Sequence, residues 1–165
     1  VNDRRVLYAA GFLRSTAVAM TGILLGFRLP RAGLDKGEIG TVVAAGLAGG
    51  AASVLLATLA ADRIGRRRLL VALSLVGAAG TAAAAFLDGA TALAAVAFLG
   101  MLNGMGRDRG AATVLDQALL PATTDDRGRT LVIARYTLLQ DVGRSLGNLT
   151  ASLPAALAAA AAFGE

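Results

Sequence analysis

Residues 59–70 read Leu-Ala-Ala-Asp-Arg-Ile-Gly-Arg-Arg-Arg-Leu-Leu, a short, strongly cationic turn between two long apolar stretches. A bilayer core of roughly 30 Å takes about 20 apolar residues in a helix rising about 1.5 Å per residue. Each flanking stretch is about that long, so the turn reads as the reversal between two membrane-crossing helices. This constrains the fold more than any other feature. It demands a helical bundle in lipid, because in a bilayer backbone groups must be satisfied within helices or closed barrels.

The rest of the chain repeats the pattern. Five apolar blocks, at 6–29, 39–61, 69–87, 91–120 and 131–163, are long enough to span, the last two being over-long and partly polar. The predicted fold is all-α, a polytopic transmembrane bundle of five spans forming one domain over 1–165. Hydrophobic residues make up 56% of the chain and charged ones 16%, with a mean hydropathy of +0.65. Soluble domains usually hold about 45–50% and about 25%.

The net charge is +5, but the placement of the charges argues against a nucleic-acid partner. Basic residues number two in 2–5, four in 62–68 and two in 121–130, against Arg28, Arg31 and Lys36 on the other side of the predicted bundle. That asymmetry follows the positive-inside rule. It places the N-terminus in the cytoplasm and Glu165 on the far side. Tyr8, Phe27, Phe86, Tyr136 and Phe163 lie near predicted span ends, where aromatic rings favour the headgroup zone. The chain has no cysteine and no histidine. The commonest metal ligand and the commonest general base are therefore missing, and neither an enzyme nor a metal or cofactor is expected.

The D-R-I-G-R-R-R turn resembles the signature loop between the second and third helices of the major facilitator superfamily of secondary transporters. That resemblance implies a gating contact at Asp62, Arg63, Gly65, Arg66 and Arg67, holding the transporter's two halves together in one state. Gly65 also suits a tight reversal, since glycine tolerates positive φ. Thr58 stands where the family usually has a glycine, four residues before the acid. In the fourth span, the G-x-G at Gly104 and Gly106 resembles the family's fourth-helix motif, with Gly100 at the position of its usual arginine. Arg107 or Arg109, about two turns further on, would substitute. The segment 121–129 resembles the connection between the family's fourth and fifth helices.

What the resemblance implies is a twelve-helix protein of two six-helix halves, rocking around a central site, of which this chain matches helices 1 to 5. The partners would then be the lipid bilayer, a small-molecule solute, and a second half or a partner subunit. The setting would be a bacterial cytoplasmic membrane.

Independently of resemblance, Arg14, Arg107, Asp108, Arg109, Asp116, Arg135, Asp141 and Arg144 fall inside or at the margins of spans. Each costs roughly 2.5–3.5 kcal/mol at mid-bilayer, so eight lipid-facing charges would cost about 20–28 kcal/mol. They must face protein, water or the interface. Thr137, Asp141, Arg144, Ser145, Asn148 and Ser152 recur at helical spacing and form one polar stripe; Arg109, Thr113, Asp116 and Gln117 form another. Asp141 and Arg144 are close enough to pair.

The functional expectation is a hydrophilic path between helices 1, 4 and 5 of the family's numbering. Its candidate residues are Arg14, Arg107, Asp108, Arg109, Asp116, Asp141, Arg144 and Asn148. Five arginines against three aspartates suggest an anionic or zwitterionic solute, and the aspartates suggest proton coupling. Glycine and serine pairs at four-residue spacing (Gly46/Gly50, Gly49/Ser53, Gly100/Gly104, Gly106/Gly110, Gly143/Gly147) suit close helix packing. The same pairs leave open a non-transporting membrane scaffold.

Overall fold

The structure is a computed structural model that describes residues 2–102, 104, 106 and 110–162, with the backbone alone at 2–3 and 154–162. Six α-helices follow in order: α1 Asn2–Arg31, α2 Lys36–Ile64, α3 Arg66–Ala84, α4 Ala90–Gly100, α5 Ala111–Leu119 and α6 Arg129–Ala162, with a 3-10 turn at Leu120–Thr123. Among the described residues there is no strand. Of these helices, α1, α2 and α3 are each long and apolar enough to cross a membrane.

Local chemistry sets the boundaries. Asp35 caps α2 through a reciprocal pair: its carboxylate accepts from the Glu38 amide at 2.9 Å, and its own amide donates to the Glu38 carboxylate at 2.9 Å. This capping box satisfies two amides that a helix start leaves without partners. Between α2 and α3 the chain reverses at Gly65 (φ 96°, ψ 124°), a conformation that a side chain would strain.

One expected span differs. The block 91–120 is not a single helix: α4 stops at Gly100, and α5 begins only at Ala111. Met101 takes a left-handed conformation with φ 54°. The Leu102 amide bonds the Ala97 carbonyl at 2.9 Å and the Met101 amide the Phe98 carbonyl at 3.3 Å. These are the two bonds of a Schellman helix end. The physical reason lies in the glycines that follow, at 104, 106 and 110, each worth about 1 kcal/mol against helix. Gly106 itself has φ 61° and packs against Ala19 of α1. Within a bilayer, such a break persists only where it is covered by protein or lines water; Leu102 and Gly106 are both buried. Gly104, Gly106 and Gly110 therefore serve the break rather than a helix face.

The bundle is organised by two principal pairings, α1 with α6 and α2 with α4, while α3 lies against α4. Glycine makes each contact close. A Cβ at Gly46 or Gly49 would collide with the Leu102 or Phe98 carbonyl, and Gly80 meets Gly100 backbone to backbone. In the other pairing, Gly143 and Gly147 face the Phe12 and Thr16 carbonyls. Gly50, in contrast, meets nothing within 4 Å.

Candidate functional site

The polar centre of the molecule lies where α1, α5 and α6 meet. Gly11, Ser15 and Ala19 form the buried stripe of α1, and Gly143 and Gly147 that of α6, which brings the two backbones together. At the Gly11 position the missing Cβ leaves room for the Tyr136 ring, which is fully buried. Tyr136 therefore faces protein and not lipid. It lies two turns inside α6, packed with Leu120, Val132, Leu7 and Tyr8.

Arg14, Asp116 and Gln140 converge on its hydroxyl. Arg14 Nη2 donates to Asp116 Oδ2 at 2.5 Å and to the Tyr136 hydroxyl at 3.0 Å. The Tyr136 hydroxyl donates to the same Asp116 oxygen at 2.7 Å, and Gln140 Nε2 donates to the hydroxyl at 3.2 Å. Asp116 is fully buried, Gln140 is nearly so, and the Arg14 side chain is 18% exposed. A carboxylate survives such burial only when paired and hydrogen-bonded. The pairing is one-sided: among the described residues Asp116 Oδ1 is buried with no hydrogen-bond partner, as are Ser15 Oγ and Thr113 Oγ1. Of the predicted stripe on the fourth span, Asp116 thus turns inward while Gln117 is exposed.

Beyond Tyr136, α6 presents three distinct faces. Val132, Tyr136, Gln140, Gly143, Gly147 and Ala151 are buried against the bundle, while Leu131, Leu138, Val142, Leu146, Leu149 and Leu153 are exposed and apolar. At about 100° per residue, the third face carries Thr137, Asp141, Arg144, Ser145, Asn148 and Ser152. These are exposed except for Arg144, which is half-buried. Asp141 and Arg144 pair along the helix at 2.7 Å. Arg135 is exposed, and at the same spacing of about 100° per residue it falls on the side of Leu131, Leu138 and Val142, near the start of α6.

The cationic turn is a separate feature. Asp62 and Arg66 pair across Gly65 at 3.2 Å, both well exposed, and Arg63, Arg67 and Arg68 are exposed beside them. At the opposite end of α1, Arg28 reaches the end of α3. Its Nε donates to the Ala84 carbonyl at 2.9 Å, and its Nη2 donates to the Leu87 carbonyl at 2.8 Å and to Asp88 at 3.3 Å. It thereby satisfies carbonyls that a helix end leaves without partners.

The structure thus brings together Arg14 with Asp116, Asp141 with Arg144, and Asp62 with Arg66, and leaves Asn148 on the exposed polar face. Arg107, Asp108 and Arg109 lie outside the described residues. Tyr136, Gln140 and Arg28 were not among the candidate site residues read from sequence, where Tyr136 was placed only as a ring near a span end and Arg28 only as a basic flank. A buried tyrosine one helical turn before a glutamine, on the face that also carries Gly143 and Gly147, was the available signal. A cavity of about 650 Å³ between α1 and α3 touches Arg14, but its other walls, including Leu13, Ala17, Leu73 and Ala78, are mostly apolar.

No curated protein and no solved structure matches the chain. The model of one family does match, over residues 7–163 and so nearly the whole length. With its apolar spans, its all-helical bundle and this match, the chain is an integral membrane protein of a transporter family: it belongs to the Major Facilitator Superfamily.

Proposed function

We propose that the chain works as the N-terminal part of a secondary active transporter that moves a small solute by alternating access. In this reading the polar face of α6, the Arg14–Asp116 pair and the broken fourth span form one wall of the solute path. The observation that carries it is the three-faced α6. One face is packed and one is apolar and suited to lipid, but the third holds Asp141, Arg144, Ser145 and Asn148, which lipid would not tolerate. An aqueous path flanked by the second half of a transporter, or by a partner subunit, gives that face its solvent.

A scaffold that binds partner helices would need free glycine faces. Here Gly46, Gly49, Gly80, Gly143 and Gly147 are already used within the chain, and of the glycines paired at four-residue spacing in α2 and α6 Gly50 alone is left open.

The finer features belong to the same reading. The arginine excess favours an anionic or zwitterionic solute, and Asp116 and Asp141 are the carriers if protons drive transport. The Asp62–Arg66 turn, exposed and local, is the gating contact toward the other half. The N-terminus and the cationic turn lie on the cytoplasmic side of a bacterial membrane.

Cysteine at Ser145 or Asn148, in the full gene product in sealed vesicles, tests the path. A membrane-impermeant maleimide should label both positions, and substrate should protect them. Lack of labelling from either side would refute the path. Uptake confined to cations would refute the solute preference alone.

A further inference from the structure

We infer that Tyr136 is a positioning residue: its hydroxyl pins α6, and with it the polar wall, to the Arg14–Asp116 pair. This rests on reading the polar face of α6 as the wall of a solute path.

Two tyrosines in the same cluster, Tyr8 half-buried and Tyr136 fully buried, show why the hydroxyl is more than a satisfied polar atom. The hydroxyl of Tyr8 donates to the Val132 backbone carbonyl at 3.1 Å, an ordinary solution for a phenol at a helix contact. The hydroxyl of Tyr136 instead engages side chains from two other helices. It donates to the carboxylate of α5 and accepts from the guanidinium of α1, and it also accepts from Gln140 on its own helix. The Arg14–Asp116 pair alone would tie α1 to α5. Tyr136 adds α6 and makes one buried point common to three helices.

The ring fixes where that point lies. It is seated at Gly11, where a Cβ would overlap the ring. The hydroxyl is therefore held at one height along α1. Asp141, Arg144 and Asn148 follow on the same helix, about 7, 12 and 18 Å further along its axis at 1.5 Å per residue. If α6 slides or tilts against α1 and α5, the hydroxyl must leave both charged partners, and the polar wall moves with it. While the hydroxyl stays, the wall is held in the position seen here. Hydrogen bonds to charged groups are among the stronger ones, and a buried carboxylate has no water to replace them.

The experiment uses the full gene product carrying Asn148→Cys, in sealed vesicles of both orientations, with a membrane-impermeant maleimide as the probe. Residues 1–165 contain no cysteine of their own. Tyr136→Phe keeps the ring in its slot and removes only the hydroxyl. We expect it to shift the ratio of labelling rates from the two faces by roughly tenfold, alongside the loss of thermal stability in detergent that removing a buried hydrogen bond brings. A hydroxyl with a merely structural role would lower stability and leave the ratio unmoved. Gln140→Leu, which removes one donor to the same hydroxyl, should shift the ratio in the same direction by less, and takes over as the test if Tyr136→Phe does not insert. A labelled parent whose ratio is unchanged in both variants overturns this inference alone. An unlabelled parent overturns the reading of the polar face on which it rests.

Discussion

The α2/α4 contact and the α1/α6 contact use the same packing device and differ in what they bury. Both rely on glycines that bring a neighbouring carbonyl to within the space a Cβ would need: Gly46 and Gly49 in the first, Gly143 and Gly147 in the second. In lipid there is little hydrophobic force between helices, so close packing has to supply the attraction. The α2/α4 contact stops there. Its buried residues are aliphatic or glycine apart from Ser53, whose hydroxyl donates to the Gly50 carbonyl at 2.7 Å and accepts from the Ala111 amide at 3.3 Å. The α1/α6 contact continues into Arg14, Asp116, Tyr136 and Gln140. A contact of glycine and backbone has one good arrangement, whereas a network of charges can hold one arrangement and exchange partners in another. On the proposed reading the first would be a fixed joint and the second the contact at which the bundle distinguishes its states.

The strongest way to break that comparison is to remove one charge from the second contact. Arg14→Met leaves a fully buried Asp116 with the Tyr136 hydroxyl as its one side-chain partner among the described residues. We expect about 3–5 kcal/mol of destabilisation, read as a fall in the thermal unfolding temperature of the detergent-solubilised protein. Arg14→Met with Asp116→Leu should recover most of the loss, because neither buried charge remains, while solute movement stays impaired. If the double variant is no more stable than the single, the network is not a coupled pair and the two contacts are alike.

A smaller effect should follow at the glycines. Gly49→Ala places a methyl group against the Phe98 carbonyl and Gly147→Ala places one against the Thr16 carbonyl. Overpacking of this kind costs typically about 1–3 kcal/mol. In the fixed joint the loss should be one of stability alone. In the α1/α6 contact it should also change the labelling of Asn148→Cys, because the wall lies on the same helix. Equal, purely structural losses at both sites would erase the distinction.

How far this was legible in sequence follows from range. The turn at Gly65, the polar stripe of α6 and the Asp141–Arg144 pair each depend on residues about one turn or less from the next, and periodicity reveals such features directly. The break after Gly100 was local too, but the apolar run on either side of it outweighed four glycines in eleven residues. Arg14 and Asp116 are 102 positions apart. Sequence could say only that each needed a partner, and the fold supplied it. Tyr136 was assigned to the membrane interface because it lies near a span end. Its burial depends on Gly11, 125 residues earlier, and no spacing rule relates the two.

Arg28 sharpens the comparison at the far end of α1. It donates to the Ala84 and Leu87 carbonyls, so Arg28→Met should cost about 1–2 kcal/mol, in the range of hydrogen bonds made by a charged group, with part of the ion-pair contribution to Asp88 screened by solvent. Because those acceptors are backbone atoms at a helix end, Arg28→Lys should restore less than half of the loss, since an ammonium lacks the planar fork that spans two carbonyls.

Gly50→Ala is the smallest and most exacting test. Gly50 neighbours Gly49 in sequence, yet a Cβ there meets nothing within 4 Å. Helix propensity then acts alone, and alanine should stabilise α2 by roughly 0.5–1 kcal/mol. Opposite signs at two adjacent glycines would show that the fixed joint is set by the direction each residue points and not by the local abundance of glycine. A loss at Gly50 comparable to that at Gly49 would mean that another helix packs on this second face of α2, and the face would then have to be treated as a third contact.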